Sequence, residues 1–312
     1  MPQHVSIQGF RGSFHEVAAR QYFGAAPTLL PCATFGAVVA HVVNGTAEAG
    51  LMAMENSLAG SILPNYLLLE RQAIRVTGEV YLPIHQHLLA LPNTRLADVQ
   101  AVHSHPMALR QCGDFLDRYP HWKLVETDDT GHSAQLLAEN QSPGVAVVAG
   151  AQAAEQFGLS ILVGSIHDDP HNYTRFLVLQ RAETAVVDSR ADKASLYFHA
   201  PHAPGSLAQV LIRVAAHGLN LSKLQSCPRP GQPWHYGFHA DVEFEDLAQF
   251  NALLTDLEPV TEELRVLGAY RRGSMETAVA GALRAEPGNR PRAQAAPREG
   301  PGSLNSTSAR LP

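Results

Sequence analysis

Apolar and polar positions along this chain follow two different rhythms. In the first half, short apolar runs alternate with stretches of helical period. Val5-Ser6-Ile7 reads as a strand that stops at Gly9 and Gly12, and a helix is expected from Phe14 to Phe23. Thr28-Leu29-Leu30 reads as a strand, Ala37–Val43 as a helix and Ala49–Met54 as a strand. This is the βαβ alternation of a mostly parallel sheet covered by helices. Ile74–Leu91 is a long extended stretch broken by Pro83, suited to carrying the chain out of one sheet and into another.

A second βα series follows. Ala101-Val102, Trp122–Val125 and Val145–Val148 read as strands, and Pro106–Leu116, Ser133–Glu139 and Ala151–Phe157 as helices. Leu159–Ile166 and Phe176–Leu179 read as closing strands. Two such series predict two lobes with a cleft between them, and ligands in such sheets sit beyond the carboxyl ends of the strands.

After a polar stretch, Ala182–Lys193, the rhythm changes. Ser195–Ala200 is a strand, Gly205 opens a helix through Ala216, and Gly218–Ser226 and Trp234–Glu243 are strands around the turn Pro228–Pro233. Leu247–Leu257 is a helix and Val266–Tyr270 a last strand. The order βαββαβ is that of a ferredoxin-like unit. The expected division is a two-lobed domain over 1–182, a linker over 183–193, the βαββαβ unit over 194–272 and a disordered tail over 273–312. That tail has no aromatic residue and is rich in Pro, Ala, Gly and Ser, with too little apolar area to offset chain entropy.

Composition narrows the function classes. The 312 residues suit about two domains. A net charge of −6 argues against a nucleic-acid protein, which shows a basic excess. No window holds the roughly 18 uninterrupted apolar residues of a membrane span. Met1-Pro2-Gln3-His4 carries no basic region ahead of an apolar stretch, so no secretory signal is expected and the cytoplasm is the expected location. The three cysteines, Cys32, Cys112 and Cys227, fit neither a disulfide framework nor a zinc spacing. Cys32 and Cys112 are expected as buried thiols.

Polar clusters stand at three places where apolar strands stop. Glu55-Asn56-Ser57 with Ser61 follows Ala49–Met54; Asn56, Ser57 and Ser61 suit plain helix caps, or an anion site at a helix N-terminus. His103-Ser104-His105-Pro106 opens the next helix, with Gln111 two turns beyond Ser104 on the same expected face. The histidine spacing there fits no standard metal site. Asp168-Asp169-Pro170-His171-Asn172-Tyr173-Thr174-Arg175 leads into Phe176–Leu179, with Arg175 placed to clamp an anion or to sit as a surface charge. The residues alone define a cleft for a small anionic ligand and no particular reaction.

Gly9-Phe10-Arg11-Gly12-Ser13-Phe14, Glu55-Asn56-Ser57, Ser104-His105-Pro106 with Gln111-Cys112, and Asn172-Tyr173-Thr174-Arg175-Phe176 come in an order and spacing that resembles the prephenate dehydratases. From His199 to Tyr270 the chain looks like the ACT regulatory domain of that family. The resemblance implies a two-lobed, type II periplasmic-binding-protein-like catalytic domain and conversion of prephenate to phenylpyruvate, with loss of water and carbon dioxide. It implies no metal and no organic cofactor. Carried over residue by residue, it makes Thr174 the essential threonine that helps the ring hydroxyl leave. Glu55, Asn56, Ser104 and Gln111 join it as catalytic residues, and Ser57, Arg175, Phe176 and Asn172 as substrate-binding ones. An amino-acid effector site is implied at Gly205-Ser206-Leu207-Ala208, Asn220, Gln225 and Ser226, and a homodimer or homotetramer is the expected assembly.

The sequence departs from the family in places. Ala53-Met54 stands for Pro-Ile, Met107 for Gln, and Gln225-Ser226-Cys227-Pro228 for the effector motif Glu-Ser-Arg-Pro. The last change leaves open whether phenylalanine is the effector. Arogenate as substrate, and a non-catalytic sensor on the same fold, remain alternatives. A chorismate mutase fusion is not expected, since the pattern starts at Val5.

Overall fold

The computed structural model describes residues 2–275; the predicted tail lies, except for its first residues, outside them. Strands β1 (His4–Gln8), β2 (Thr28–Cys32) and β3 (Ala49–Asn56) alternate with helices α1 (Phe14–Phe23) and α2 (Phe35–Val43). A two-residue strand β4 (Gly60–Ser61) hairpins back on β3 and leads through α3 (Leu63–Arg71) to β5 (Ile74–Pro83). The second lobe runs β6 (His87–Ala90), β7 (Ala101–Ser104), α4 (Pro106–Arg110), α5 (Gly113–Leu116), β8 (Lys123–Glu126), α6 (Thr130–Asn140), β9 (Val145–Ala149), α7 (Ala151–Phe157) and β10 (Ser160–Val163). The chain then returns to the first lobe as β11 (Tyr173–Arg181), between β3 and β5.

The first sheet has the order β2-β1-β3-β11-β5 and the second β10-β6-β9-β7-β8. Two segments cross between the lobes, 84–86 and 164–172, and they bond to each other: Ile84 N donates to Asn172 O at 2.8 Å and Ile166 N to Gln86 O at 2.8 Å. The expected crossing stretch is thus two strands in two sheets. One expected helix is also two. Pro106–Leu116 breaks at Gln111 and Cys112, and Asp168 on the return segment accepts from Gly113 N (3.0 Å) and Asp114 N (3.1 Å) to start the second piece.

A third sheet follows: β12 (Lys193–His199), α8 (Ser206–Ala216), β13 (Asn220–Pro228), β14 (Tyr236–Glu243), α9 (Leu247–Leu257) and β15 (Glu263–Tyr270), in the order β13-β14-β12-β15. This is the ferredoxin-like βαββαβ unit, and α8 and α9 cover one face around Leu196, Phe198, Val242 and Leu253. The other face packs on the first lobe. Tyr197, Cys227, Leu267 and Tyr270 share one apolar cluster with Val39, Met52, Met54, Tyr66, Leu177 and Leu179. At Gly268 the approach is so close that a Cβ would lie 1.9 Å from Val76 O.

Candidate active site and a buried charge network

The ends of β3 and β11 meet in register, Asn56 opposite Thr174 and Glu55 opposite Arg175. Because strand side chains alternate in direction, these two rungs face opposite sides of the sheet. One side is an amide and hydroxyl cluster, and the other is a charge network under the ferredoxin-like unit.

On the first side, Asn56 Oδ1 accepts from Leu58 N (3.0 Å) and Ala59 N (2.9 Å), which closes the turn into β4. The amide oxygen is therefore fixed, and Nδ2 must point at Asn172 Oδ1 (2.6 Å), Tyr173 O (3.0 Å) and Thr174 Oγ1 (3.1 Å). Thr174 Oγ1 accepts from this amide, so its own O–H is directed elsewhere. The Asn172 side chain is fully buried, and its Nδ2 finds no acceptor among the described residues. Hydroxyl and amide donors are thus gathered where β3 ends and the return crossing enters β11.

Asn56 caps no helix, contrary to one expectation. The strand extends through it, and α3 starts only at Leu63 with no side-chain cap on its N-terminus. Ser57 ties the turn to β11: its hydroxyl donates to His171 O and accepts from Tyr173 N, both at 2.9 Å. Phe176 is 1% exposed in the core beneath the site, with its ring edge to His15. Ser104 and Gln111 belong to the other lobe and share no helix. Ser104 ends β7 and donates to Val148 O at 2.6 Å, His105 is the N-cap of α4, and Gln111 is its C-cap, one residue past Arg110. The Gln111 carbonyl accepts from Asp168 N on the return crossing at 2.8 Å.

The lobes also touch at the loop after β1, a contact that sequence reasoning missed. Phe10 stacks on His132 with centroids 4.1 Å apart. Gly9 has φ +94°, and a Cβ there would stand 2.9 Å from Asp129 Oδ2. Burial raises the Asp129 carboxyl above its ordinary range, against the hydrogen bond from His132 N.

Arg175 is not turned toward this cluster. Its side chain is 4% exposed on the opposite face and gives Nε to Glu79 (2.7 Å), Nη1 to Asp241 (2.5 Å) and Glu55 (3.2 Å), and Nη2 to Tyr270 Oη (3.2 Å). The anion clamp expected from sequence is already occupied by protein carboxylates. Glu55 points the same way and is held by Lys223 Nζ, which also donates to Ser61 Oγ at 2.8 Å. Lys193 Nζ meets Glu79 at 3.0 Å, and Ser195 Oγ donates to Asp241 at 2.5 Å. Burial opposes charge throughout this network. Nonetheless, Arg175 and Lys193 hold the Asp241 carboxyl below its usual range, and Asp241 and Glu79 hold the Arg175 guanidinium firmly charged.

In the ferredoxin-like unit, a cavity of about 330 Å³ is lined by Pro201, Ser206, Leu207, Arg229, His235 and Phe238, among others. Gly205, in the left-handed region at φ +81°, starts α8 beside it. Asn220 lies at the far end of β13, bonded to Glu243 at 3.2 Å, away from this cavity. Cys227, at the position of the family's arginine, is turned into the apolar cluster shared with the first lobe. Among the described residues no group of three or more His, Cys, Asp or Glu side chains could hold a metal ion, and no helix is long and apolar enough to cross a membrane.

Fold and site define a two-lobed α/β protein that carries a donor cluster at the cleft and a ferredoxin-like unit on its back. Residues 5–184 match the family model for prephenate dehydratase. The chain belongs to the prephenate dehydratase family, which are lyases. It is 32% identical over 270 residues to the bifunctional chorismate mutase/prephenate dehydratase of Escherichia coli (strain K12), covering 85% of this chain and 70% of that one. It is 35% identical over 285 residues to arogenate dehydratase 5, chloroplastic, of Arabidopsis thaliana, covering 85% and 67%. Among solved structures, it resembles a prephenate dehydratase from Arthrobacter aurescens in complex with L-Phe, with TM-score 0.78 and 29% identity over 90% of this chain and 97% of that one. It is similar to the same degree to a structure described as a quorum quenching acylase, with TM-score 0.78 and 30% identity over 88% and 99%.

Proposed function

We propose that residues 1–182 form the catalytic unit and convert prephenate to phenylpyruvate by decarboxylating dehydration, with Thr174, Asn56 and Asn172 as the site's core. The observation that carries this is the fixed Asn56 amide, which uses Thr174 Oγ1 as an acceptor and so frees the threonine hydrogen for a ligand. In the reaction an allylic C–O bond and the bond to the ring carboxylate break. The carboxylate's electron pair enters the ring, carbon dioxide leaves, and the departing hydroxide takes a proton to become water. A donor at the leaving oxygen is what this step needs, and such donation contributes about 10²–10⁴-fold. Thr174 supplies that hydrogen bond or relays the proton, and the Asn172 amide is a second donor. Ser104 and Gln111 complete the site from the second lobe on closure. Glu55, Arg175, Ser57 and Phe176 support it and do not touch substrate.

Residues 194–272 are read as an ACT regulatory domain that binds an amino-acid effector in the cavity beside Gly205, Ser206 and Leu207, where Arg229 offers the effector's carboxylate a charged partner. Gln225 and Ser226 lie on the adjoining strand, four and three residues before Arg229. The protein is read as a cytoplasmic homo-oligomer. The family's arogenate-named members keep a second substrate in view, differing by an amine in place of the keto group.

The test is turnover of prephenate and of arogenate by wild type, Thr174→Ala and Thr174→Ser, with and without phenylalanine. Phenylpyruvate formation that falls by about 10² or more in Thr174→Ala and is partly restored in Thr174→Ser supports the reading. Undiminished turnover in Thr174→Ala removes the threonine from its role. Higher kcat/KM with arogenate reassigns the substrate.

A further inference from the structure

We propose that the ferredoxin-like unit positions the catalytic strand ends directly, through Lys223 and Asp241 acting on Glu55 and Arg175. This rests on reading Asn56 and Thr174 as the site. Glu55 and Arg175 are the immediate chain neighbours of those two residues, on paired strands.

Two features single out these contacts from ordinary interface packing. First, the β3–β11 ladder shifts register between Arg175 and Phe176, where Phe176 pairs with Ala53 and Met54 is passed over. The last two rungs, Glu55–Arg175 and Asn56–Thr174, therefore lie beyond a bulge, where a ladder is locally interrupted and more strongly twisted. On the β5 side Thr174 and Arg175 stay in regular register with Leu82 and Tyr81, so it is the β3 half of these rungs, Glu55 and Asn56, whose placement leans on what holds it from outside the sheet. Second, the holders come from the other unit. Lys223 Nζ bonds both Glu55 and Ser61, which face each other across the β3–β4 hairpin closed by Asn56. Asp241 takes Arg175 Nη1 at 2.5 Å and is itself fixed by Ser195 Oγ. Lys223 and Asp241 are cross-strand neighbours on β13 and β14. One rung of the third sheet thus grips one rung of the first, and the next rung of the first carries the site. Lys223 and Asp241 are positioning residues, with no contact to substrate.

The experiment pairs kinetics with hydrogen exchange in the full chain, for Lys223→Met, Lys223→Arg, Asp241→Asn and the double variant Lys223→Met/Glu55→Gln. Arg265→Met is the control, since Arg265 Nη1 makes a different cross-unit bond, to Glu70 O at 2.8 Å. Lys223→Met and Asp241→Asn are expected to lower kcat about fivefold or more with KM little changed. They should also speed amide exchange at 55–59 and 173–175 while β1 and β2 exchange as in wild type. Lys223→Arg should restore both readouts, Lys223→Met should add nothing once Glu55 is already Gln, and Arg265→Met should leave both as they are. Unchanged exchange at those segments in Lys223→Met overturns the proposal whether or not prephenate is the substrate. So does an equal loss in Arg265→Met, which would show general loosening. Absence of turnover in wild type with the exchange pattern intact would instead overturn the functional reading alone.

Discussion

Thr174 and Arg175 are consecutive residues of one strand with opposite surroundings. The Thr174 hydroxyl accepts from Asn56 Nδ2 on the cleft side, while the Arg175 guanidinium is buried among Glu55, Glu79 and Asp241 on the side of the ferredoxin-like unit. The pleat of a β-strand separates the two by one peptide. A motif read linearly as Thr-Arg-Phe is therefore three functions on one strand: a donor at the cleft, a charge at an interface, and an aromatic in the core.

Arg175→Met should be strongly destabilising. It leaves Glu79, fully buried at its side chain, with Lys193 as its one cation beside the Gly273 N–H, and Asp241 with only Ser195. Removing one member of a buried ionic network costs about 3–5 kcal/mol, because the remaining charges stay buried. Arg175→Lys should recover little, since a single ammonium cannot reach both carboxylates in the fork geometry. Denaturant unfolding followed by circular dichroism checks this; a loss below 1 kcal/mol would contradict the network's burial.

Asn56→Asp separates the two uses of that side chain. The carboxylate still accepts from Leu58 N and Ala59 N, so the turn and the fold should survive. Its second oxygen, however, faces Asn172 Oδ1 and Tyr173 O in place of an N–H. The expected result is a melting temperature near that of wild type with kcat reduced by about 10². Parallel loss of both quantities would mean that Asn56 serves the fold alone.

Much of the architecture was legible because local signals carried it. Phe14–Phe23 and Leu247–Leu257 have the bounds expected from their apolar period, and the βαββαβ order follows from alternation of strand and helix patterns alone. The charge network was not legible. Its members are separated by 66 residues for Arg175 and Asp241 and by 168 for Lys223 and Glu55. The one local signal was a charge inside an apolar strand: Glu79 lies within Ile74–Pro83 and Asp241 within Tyr236–Glu243. Arg175 misled because an arginine after a polar turn reads as an anion clamp. The strand phase that turns it away is set by pairing with Glu55, which no local pattern reveals. Gln111 misled through helix period: a break at Cys112, capped from Asp168, cancels the face argument.

Gly268→Ala tests the docking of the two units without touching any charge. A Cβ at this position would sit 1.9 Å from Val76 O and 2.8 Å from Val76 C, on backbone that cannot swing aside. Strand β15 must then lift from β5, opening the apolar cluster around Tyr197, Leu267 and Tyr270. The expected loss is more than about 2 kcal/mol, in the range of overpacked cores. A crystal structure or an unfolding curve indistinguishable from wild type would refute so close a contact.

His239 makes the same interface acid-sensitive. Its ring is 3% exposed between Tyr66 and Tyr197, and neither ring nitrogen finds a partner among the described residues. Burial, with Arg265 adding and Asp241 opposing, lowers its pKa from 6.5 to about 4. The sign follows directly. Above 6.5 the ring is neutral in both folded and unfolded chains, and the stability is fully present. As pH falls below that value the unfolded chain takes a proton that the folded one refuses until about 4, so stability drops across that window. A shift of this size corresponds to about 3 kcal/mol. Asp241 adds its own loss at still lower pH, since its folded pKa is depressed. His239→Phe keeps a ring between the two tyrosines and removes the titration. Unfolding free energies measured for both proteins across this window should therefore converge or cross as pH falls, with wild type losing about 3 kcal/mol more. Parallel pH dependence in the two would show that His239 is protonated or solvated in the folded state.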